Sequence, residues 1–171
     1  MRLVTYRTRD GRVLPGALEG DGIRTITTPT LADYIALAPH ERIAWQSPEA
    51  LVPLGGVELV APVRPLRNVF CVGRNYLEHA KEGAKAAGRE LKLPDVPTFF
   101  TKAPTAIVGP GATVHLQRAI SAEYDFEAEL AVVIGARCKD VSQAQALDVV
   151  FGYTAFNDVT ARDLQRAHVQ W

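Results

Sequence analysis

Residues 123–134 read Glu-Tyr-Asp-Phe-Glu-Ala-Glu-Leu-Ala-Val-Val-Ile, and no other stretch constrains the fold of this chain as tightly. Side chains two apart on a strand share a face. A strand over 126–134 therefore gathers Phe126, Ala128, Leu130, Val132 and Ile134 into an apolar face. Asp125, Glu127 and Glu129 line the opposite face, which turns apolar again at Ala131 and Val133. Acidic residues are depleted in strands, and neighbouring carboxylates repel one another. A hard divalent cation relieves that repulsion, because Mg2+ and Mn2+ favour oxygen ligands. The plainer alternative is a solvated strand face with an acidic end, and on this segment alone it is the commoner outcome.

Around that segment the chain divides in two. Short β-prone runs at 2–6, 13–18 and 22–27 are separated by the turn-formers Asp10-Gly11 and Gly20-Asp21-Gly22. Thr30 precedes an apolar run and suits the N-cap of a short helix. Ala61-Pro-Val-Arg-Pro65 carries two prolines that break helix and strand alike, so it reads as a linker. A small β-rich N-terminal unit over 1–65 and a second unit over 66–171 follow. In the second unit, strands are expected at 68–72, 98–102, 126–134 and 151–157. Helices are expected at 76–87, 142–149 and 160–168, with Ser142 as a cap and Thr160 and Asp163 in capping-box spacing. The class is mainly β with short helices (α+β).

Charge excludes some partners. Lys plus Arg (19) equals Asp plus Glu (19), so no net field draws in nucleic acid or an anionic membrane. The apolar runs are too short to span a bilayer, and the N-terminus lacks a signal-peptide core. The two cysteines, Cys71 and Cys138, lack Cys-x-x-Cys spacing. Buried, reduced thiols in a cytoplasmic protein are the expectation, with one disulfide as the alternative.

Two further clusters carry chemistry. On a helix starting near Asp158, that residue, Arg162 and Gln165 fall at i, i+4 and i+7 and share a face. A carboxylate, a guanidinium and an amide in a row could hold a metal and an anionic substrate, since Arg grips carboxylates through a bidentate fork. An ordinary surface Asp–Arg pair is the alternative. His79 and Glu82, three apart on the expected helix, could form a base whose imidazole the carboxylate orients. A salt-bridged surface turn is the commoner fate of such pairs. His40, His115 and His168 have no partner at useful spacing and read as structural.

Four blocks in order carry a resemblance. They are Gly73-Arg-Asn-Tyr-Leu-Glu-His-Ala, Phe100-Thr-Lys-Ala-Pro-Thr-Ala-Ile-Val-Gly-Pro-Gly111, Asp125-Phe-Glu-Ala-Glu-Leu-Ala-Val-Val-Ile-Gly135 and Gly152-Tyr-Thr-Ala-Phe-Asn-Asp-Val-Thr-Ala-Arg-Asp-Leu-Gln165. Together they resemble the fumarylacetoacetate hydrolase family from Arg67 to Trp171, and the first 65 residues resemble its small N-terminal domain loosely. The resemblance implies a mixed β-sandwich roll. It implies Glu127, Glu129 and Asp158 as ligands of Mg2+ (or Mn2+), and His79 and Glu82 as the water-activating pair. It further implies Arg162 and Gln165 as substrate contacts, with Lys102 near the site. Asp125 receives no role. The family continues past the position of Trp171 through a Gly-Lys-Ser-like motif and further strands, so this chain reads as an incomplete roll with bare sheet edges and apolar faces. The implied activity is hydrolysis of a carbon–carbon bond in a small 2-oxo acid such as an acylpyruvate, the departing carbon leaving as an enolate. The alternatives are an isomerase or decarboxylase of aromatic-compound breakdown on the same site, an inactive shortened product, and a plain β-rich interaction module. A homodimer is the expected assembly.

Overall fold

The computed structural model describes residues 1–86, 88, 90–93 and 95–168, without the side-chain surroundings at 43, 79, 83 and 86. The first layer is an antiparallel sheet of β1 (Leu3–Arg7), β2 (Val13–Glu19), β3 (Gly22–Thr25), β4 (Val52–Pro53) and β5 (Glu58–Val60), in the order β4-β3-β2-β1-β5. Gly11 (φ 85°) and Gly20 (φ 58°) supply the left-handed backbone that the two hairpin turns need. Helix α1 (Leu31–Ala36) opens on a capping box: Asp33 N–H donates to Thr30 Oγ1 at 3.2 Å, and Thr30 N–H donates to the Asp33 carboxylate at 2.9 Å. Its Leu31, Tyr34 and Ile35 join Ile26 in a buried cluster. Tyr6, fully buried in the same unit, satisfies its hydroxyl on Thr25 Oγ1 at 2.8 Å.

The rest of the chain is built from paired strands. β6 (Val69–Gly73) leads into α2 (Leu77–Ala86) and pairs antiparallel with β7 (Thr98–Lys102). Next come β8 (Tyr124–Asp125), β9 (Ala128–Ile134), β10 (Val150–Asn157), β11 (Thr160–Ala161) and α3 (Arg162–His168). β9 pairs with β10, and β8 with β11, both antiparallel. The architecture is mainly β with short helices. Val133 and Phe151 pack onto the α1 cluster, and the Arg42 guanidinium lies 4.7 Å from the centre of the Phe151 ring. Gly109 lies so close to β5 that a Cβ there would come within 2.6 Å of Val60 Cα. These contacts join the first layer to the later strands.

The face assignment along β9 shows what the alternation does. Glu127, Glu129, Ala131 and Val133 are half-buried, while Phe126 (75%), Leu130 (60%) and Ile134 (53%) are exposed. Val133 is drawn onto the α1 cluster, and the carboxylates two and three pairs along the strand turn inward with it. The solvated acidic face, the commoner expectation from the segment alone, holds for the exposed Asp125 and fails for the half-buried Glu127 and Glu129.

Other expectations also need correction. The strand expected over 126–134 starts two residues later, at Ala128, because side chains intercept the ladder at Phe126 and Glu127. Phe126 N–H donates to Asp125 Oδ1 at 2.9 Å, and Glu127 N–H to Asn157 Oδ1 at 3.1 Å. The helix expected from 160 begins at Arg162, since Thr160 and Ala161 are paired to β8. No capping box forms there: Asp163 accepts from Ser121 Oγ at 2.6 Å instead. Ser142 makes no side-chain cap to the 3-10 turn Gln143–Val149, as its hydroxyl bonds Gln145 Oε1 at 2.8 Å. Both cysteines are free, and Cys138 is exposed rather than buried. Among the described residues no helix is long and apolar enough to cross a membrane.

Candidate active site

The ends of β7, β9 and β10 and the start of α3 meet around a set of opposite charges. Lys102, last residue of β7, places Nζ 2.5 Å from Asp158 Oδ1, with side chains 24% and 7% exposed. Asp158 N–H donates to Glu127 O at 3.0 Å, fixing the backbone of one expected ligand beside that of another. Glu127 Oε1 lies 2.6 Å from Arg162 Nη2. The same guanidinium grips Asp125 Oδ2 through Nε at 2.9 Å and Nη2 at 2.8 Å, and Nη1 donates to Gln165 Oε1 at 3.2 Å. Arg162 is itself pinned, its N–H donating to Glu123 O at 2.8 Å. Glu129 stands opposite Phe156 in the β9–β10 pair, on the inward face.

The electrostatics follow from this proximity. Burial pushes the Cys71 thiol above its usual value; the Asp158 and Glu129 carboxylates add to that rise and Lys102 opposes it. One thiol on β6 thus feels two carboxylates and their cation together. The Arg162 hydrogen bonds hold Asp125 below the usual carboxylate range. Burial works against the Arg162 charge, but its bonds to Asp125 and Glu127 outweigh that and raise its value.

The structure therefore gathers Glu127, Glu129, Asp158, Lys102, Arg162 and Gln165 into one neighbourhood. Asp158 does not share a helix with Arg162, as the i, i+4 spacing had suggested; it precedes β11, and strand pairing brings it in. Glu82 is exposed on α2, and the side chain of His79 lies outside the described residues. The start of α2 does border β9, where Leu130 N–H donates to Tyr76 Oη at 3.3 Å. A cleft of about 190 Å³ is lined by Lys102, Val159, Thr160, Ala161, Leu164, Gln165 and His168. A second, of about 250 Å³, lies between the β6–α2 turn and Leu93, Asp95, Val96 and Pro97, and none of Glu127, Glu129 and Asp158 lines it.

Glu127, Glu129 and Asp158 offer only oxygen donors, a chemistry that suits Mg2+ or Mn2+. In this arrangement, among the described residues, no three His, Cys, Asp or Glu side chains converge on one point. The Asp158 and Glu127 oxygens are turned to Lys102 and Arg162 instead.

Sequence reasoning missed three participants. Asn157 takes up the Glu127 N–H; its position beside Asp158 was the available signal, because Asn side chains commonly bond nearby backbone. Asp125, left without a role, is the anchor of Arg162 and shares the strand parity of Glu127. Cys71 carried no signal, since a lone cysteine in a β-prone run reads as core.

Comparison with known proteins gives these residues a lineage. The family described as fumarylacetoacetate (FAA) hydrolase C-terminal matches residues 68–171. Oxaloacetate tautomerase YisK of Bacillus subtilis is 44% identical over 171 residues, covering 99% of this chain and 54% of the relative. The crystal structure of 5-carboxymethyl-2-hydroxymuconate delta-isomerase from Mycobacterium smegmatis superposes with a TM-score of 0.76 at 34% identity, covering all of this chain and 60% of that one. A fumarylacetoacetate hydrolase from Exiguobacterium antarcticum superposes with a TM-score of 0.71 at 34% identity, covering 99% of this chain and 60% of that one. The chain thus spans little more than half the length of the relatives it matches. Its four sequence blocks, its β-rich fold and these similarities lead to one conclusion: the chain belongs to the fumarylacetoacetate hydrolase family.

Proposed function

We propose that this chain carries the metal- and anion-holding part of an enzyme that interconverts tautomers or double-bond isomers of a small 2-oxo diacid. The observation that supports this reading is that Glu127, Glu129 and Asp158 are all withdrawn from solvent, with Asp158 paired to Lys102, which lines a cleft together with Gln165. Glu127, Glu129 and Asp158 would hold Mg2+ or Mn2+, and the ion would supply Lewis-acid polarisation of the 2-oxo group. Arg162 and Gln165, already hydrogen-bonded to each other, would orient a substrate carboxylate by a charged fork and an amide. His79 would move the proton at the carbon next to the oxo group, with Glu82 orienting its ring across one helical turn. Support for isomerisation comes from two relatives named for such chemistry, a tautomerase and a delta-isomerase.

Hydrolytic carbon–carbon cleavage is the second reading. It is favoured by the relative named as a hydrolase and by the His79–Glu82 spacing, which suits activating a water. Both reactions pass through an enolate, so one assay separates them. The protein is incubated with a 2-oxo diacid in its enol form and, separately, with an acylpyruvate, with Mg2+ or with chelator. Isomerisation is followed by loss of enol absorbance, and cleavage by release of pyruvate. Metal-dependent enol loss that Glu127→Ala abolishes is the expected result. Equal turnover in chelator, or in Glu127→Ala, contradicts the mechanism.

A further inference from the structure

The expected ligand Asp158 already has a cation. Its side chain is 7% exposed, and the Lys102 ammonium 2.5 Å away neutralises it. A carboxylate buried to that degree is strongly disfavoured without a partner, so the pairing offsets its burial and fixes its side chain. Nothing local imposes it, because Lys102 ends β7 and Asp158 follows β10. We propose that Lys102 is a built-in counter-cation that holds Asp158 in place while no metal is bound and withdraws as a divalent ion enters. This rests on the reading of Glu127, Glu129 and Asp158 as ligands.

Three observations support the exchange. An ammonium and a dication sharing the Asp158 carboxylate would repel each other strongly in a partly dry site. The lysine stem is flexible and its side chain is 24% exposed, so Nζ has a way out. The exit also offers favourable surroundings: Nζ already lies 5.5 Å from the centre of the Phe100 ring, and Lys102 lines the cleft that Gln165 also borders. Released from Asp158, the ammonium would meet an anionic substrate in that cleft. Metal then substrate is the implied order of binding.

The test is a Mn2+ titration of the unmodified protein, Lys102→Met and Lys102→Arg. Competition requires Lys102→Met to bind Mn2+ at least about fivefold tighter, equivalent to roughly 1 kcal/mol, with Lys102→Arg staying near the unmodified value. A lysine that merely supported the structure would give the opposite sign, since its loss would loosen the site. Unchanged or weaker binding by Lys102→Met overturns the inference and leaves the functional reading standing. Absence of Mn2+ binding by the unmodified protein overturns both. Should Lys102→Met fail to fold, amine labelling of the unmodified protein decides, read at Lys102 by mass spectrometry. Labelling that rises on adding Mn2+ supports release of the ammonium, and labelling that stays level or falls contradicts it.

Discussion

At the residue scale, the site is a balance of charges that strand pairing assembles. Asp158→Asn keeps the shape of the side chain but leaves the Lys102 ammonium facing a neutral amide, with 24% exposure and the Phe100 ring as its remaining relief. A loss of about 1–2 kcal/mol in the metal-free protein is expected, read as a shift in urea midpoint. Cys71 gives a pH test. Its raised value means that the folded chain favours the neutral thiol. That contribution to stability is fully present below the ordinary thiol value and is lost as pH climbs through the raised folded value. Alkylation of Cys71 by iodoacetamide should therefore inflect at higher pH in the folded chain than in urea, and an equal or lower inflection would contradict the burial described here. Little of this was legible in the sequence. Periodicity put Glu127 and Glu129 on one face, but nothing in spacing announces that Lys102 meets Asp158 or that Asp125 anchors Arg162. Such pairs depend on which strands become neighbours, and a local pattern carries no record of that.

At the element scale, local chemistry was readable wherever one local interaction decides the outcome. Thr30 caps α1 as expected, because its hydroxyl has no competitor for the Asp33 N–H. Thr98–Lys102 appears with the expected bounds, since Val-Pro before it and Ala-Pro after it limit the run. At the start of α3 the failures share a cause: a tertiary partner displaces the local one. Thr160 is held in a strand pair with β8, and Asp163 is taken by Ser121. Two caps make the contrast measurable. Thr30→Ala should cost about 1 kcal/mol of stability in a denaturant titration. Ser142→Ala should move the midpoint far less, because Ser142 donates only to an exposed Gln145.

At the scale of the whole molecule, Glu127 and Glu129 are half-buried on the side of β9 whose Val133, with Phe151, packs against the α1 cluster. That packing leaves Phe126, Leu130, Ile134 and Tyr153 on an open apolar face. The alternating sequence showed an apolar face, and only the family resemblance implied that such faces lie bare; which face is covered was not legible, because period two fixes parity and leaves the choice of covered side to packing. A hydrophobic dye such as ANS should bind this face, and Leu130→Lys combined with Val132→Lys should remove most of its fluorescence while far-ultraviolet dichroism is unchanged. Gly109 is the second tie between the layers. Gly109→Ala would force the Val60–Ala61 backbone to move and should cost about 1–3 kcal/mol.

The claim on which the functional account depends is that Glu127, Glu129 and Asp158 hold one divalent ion between them. Titrating Mn2+ into the protein while following the free-ion paramagnetic resonance signal tests it directly. The account requires one bound ion per chain, with affinity at least about tenfold weaker in each of Glu127→Gln, Glu129→Gln and Asp158→Asn, a change of roughly 1.4 kcal/mol. Binding that all three substitutions leave unaltered would contradict it.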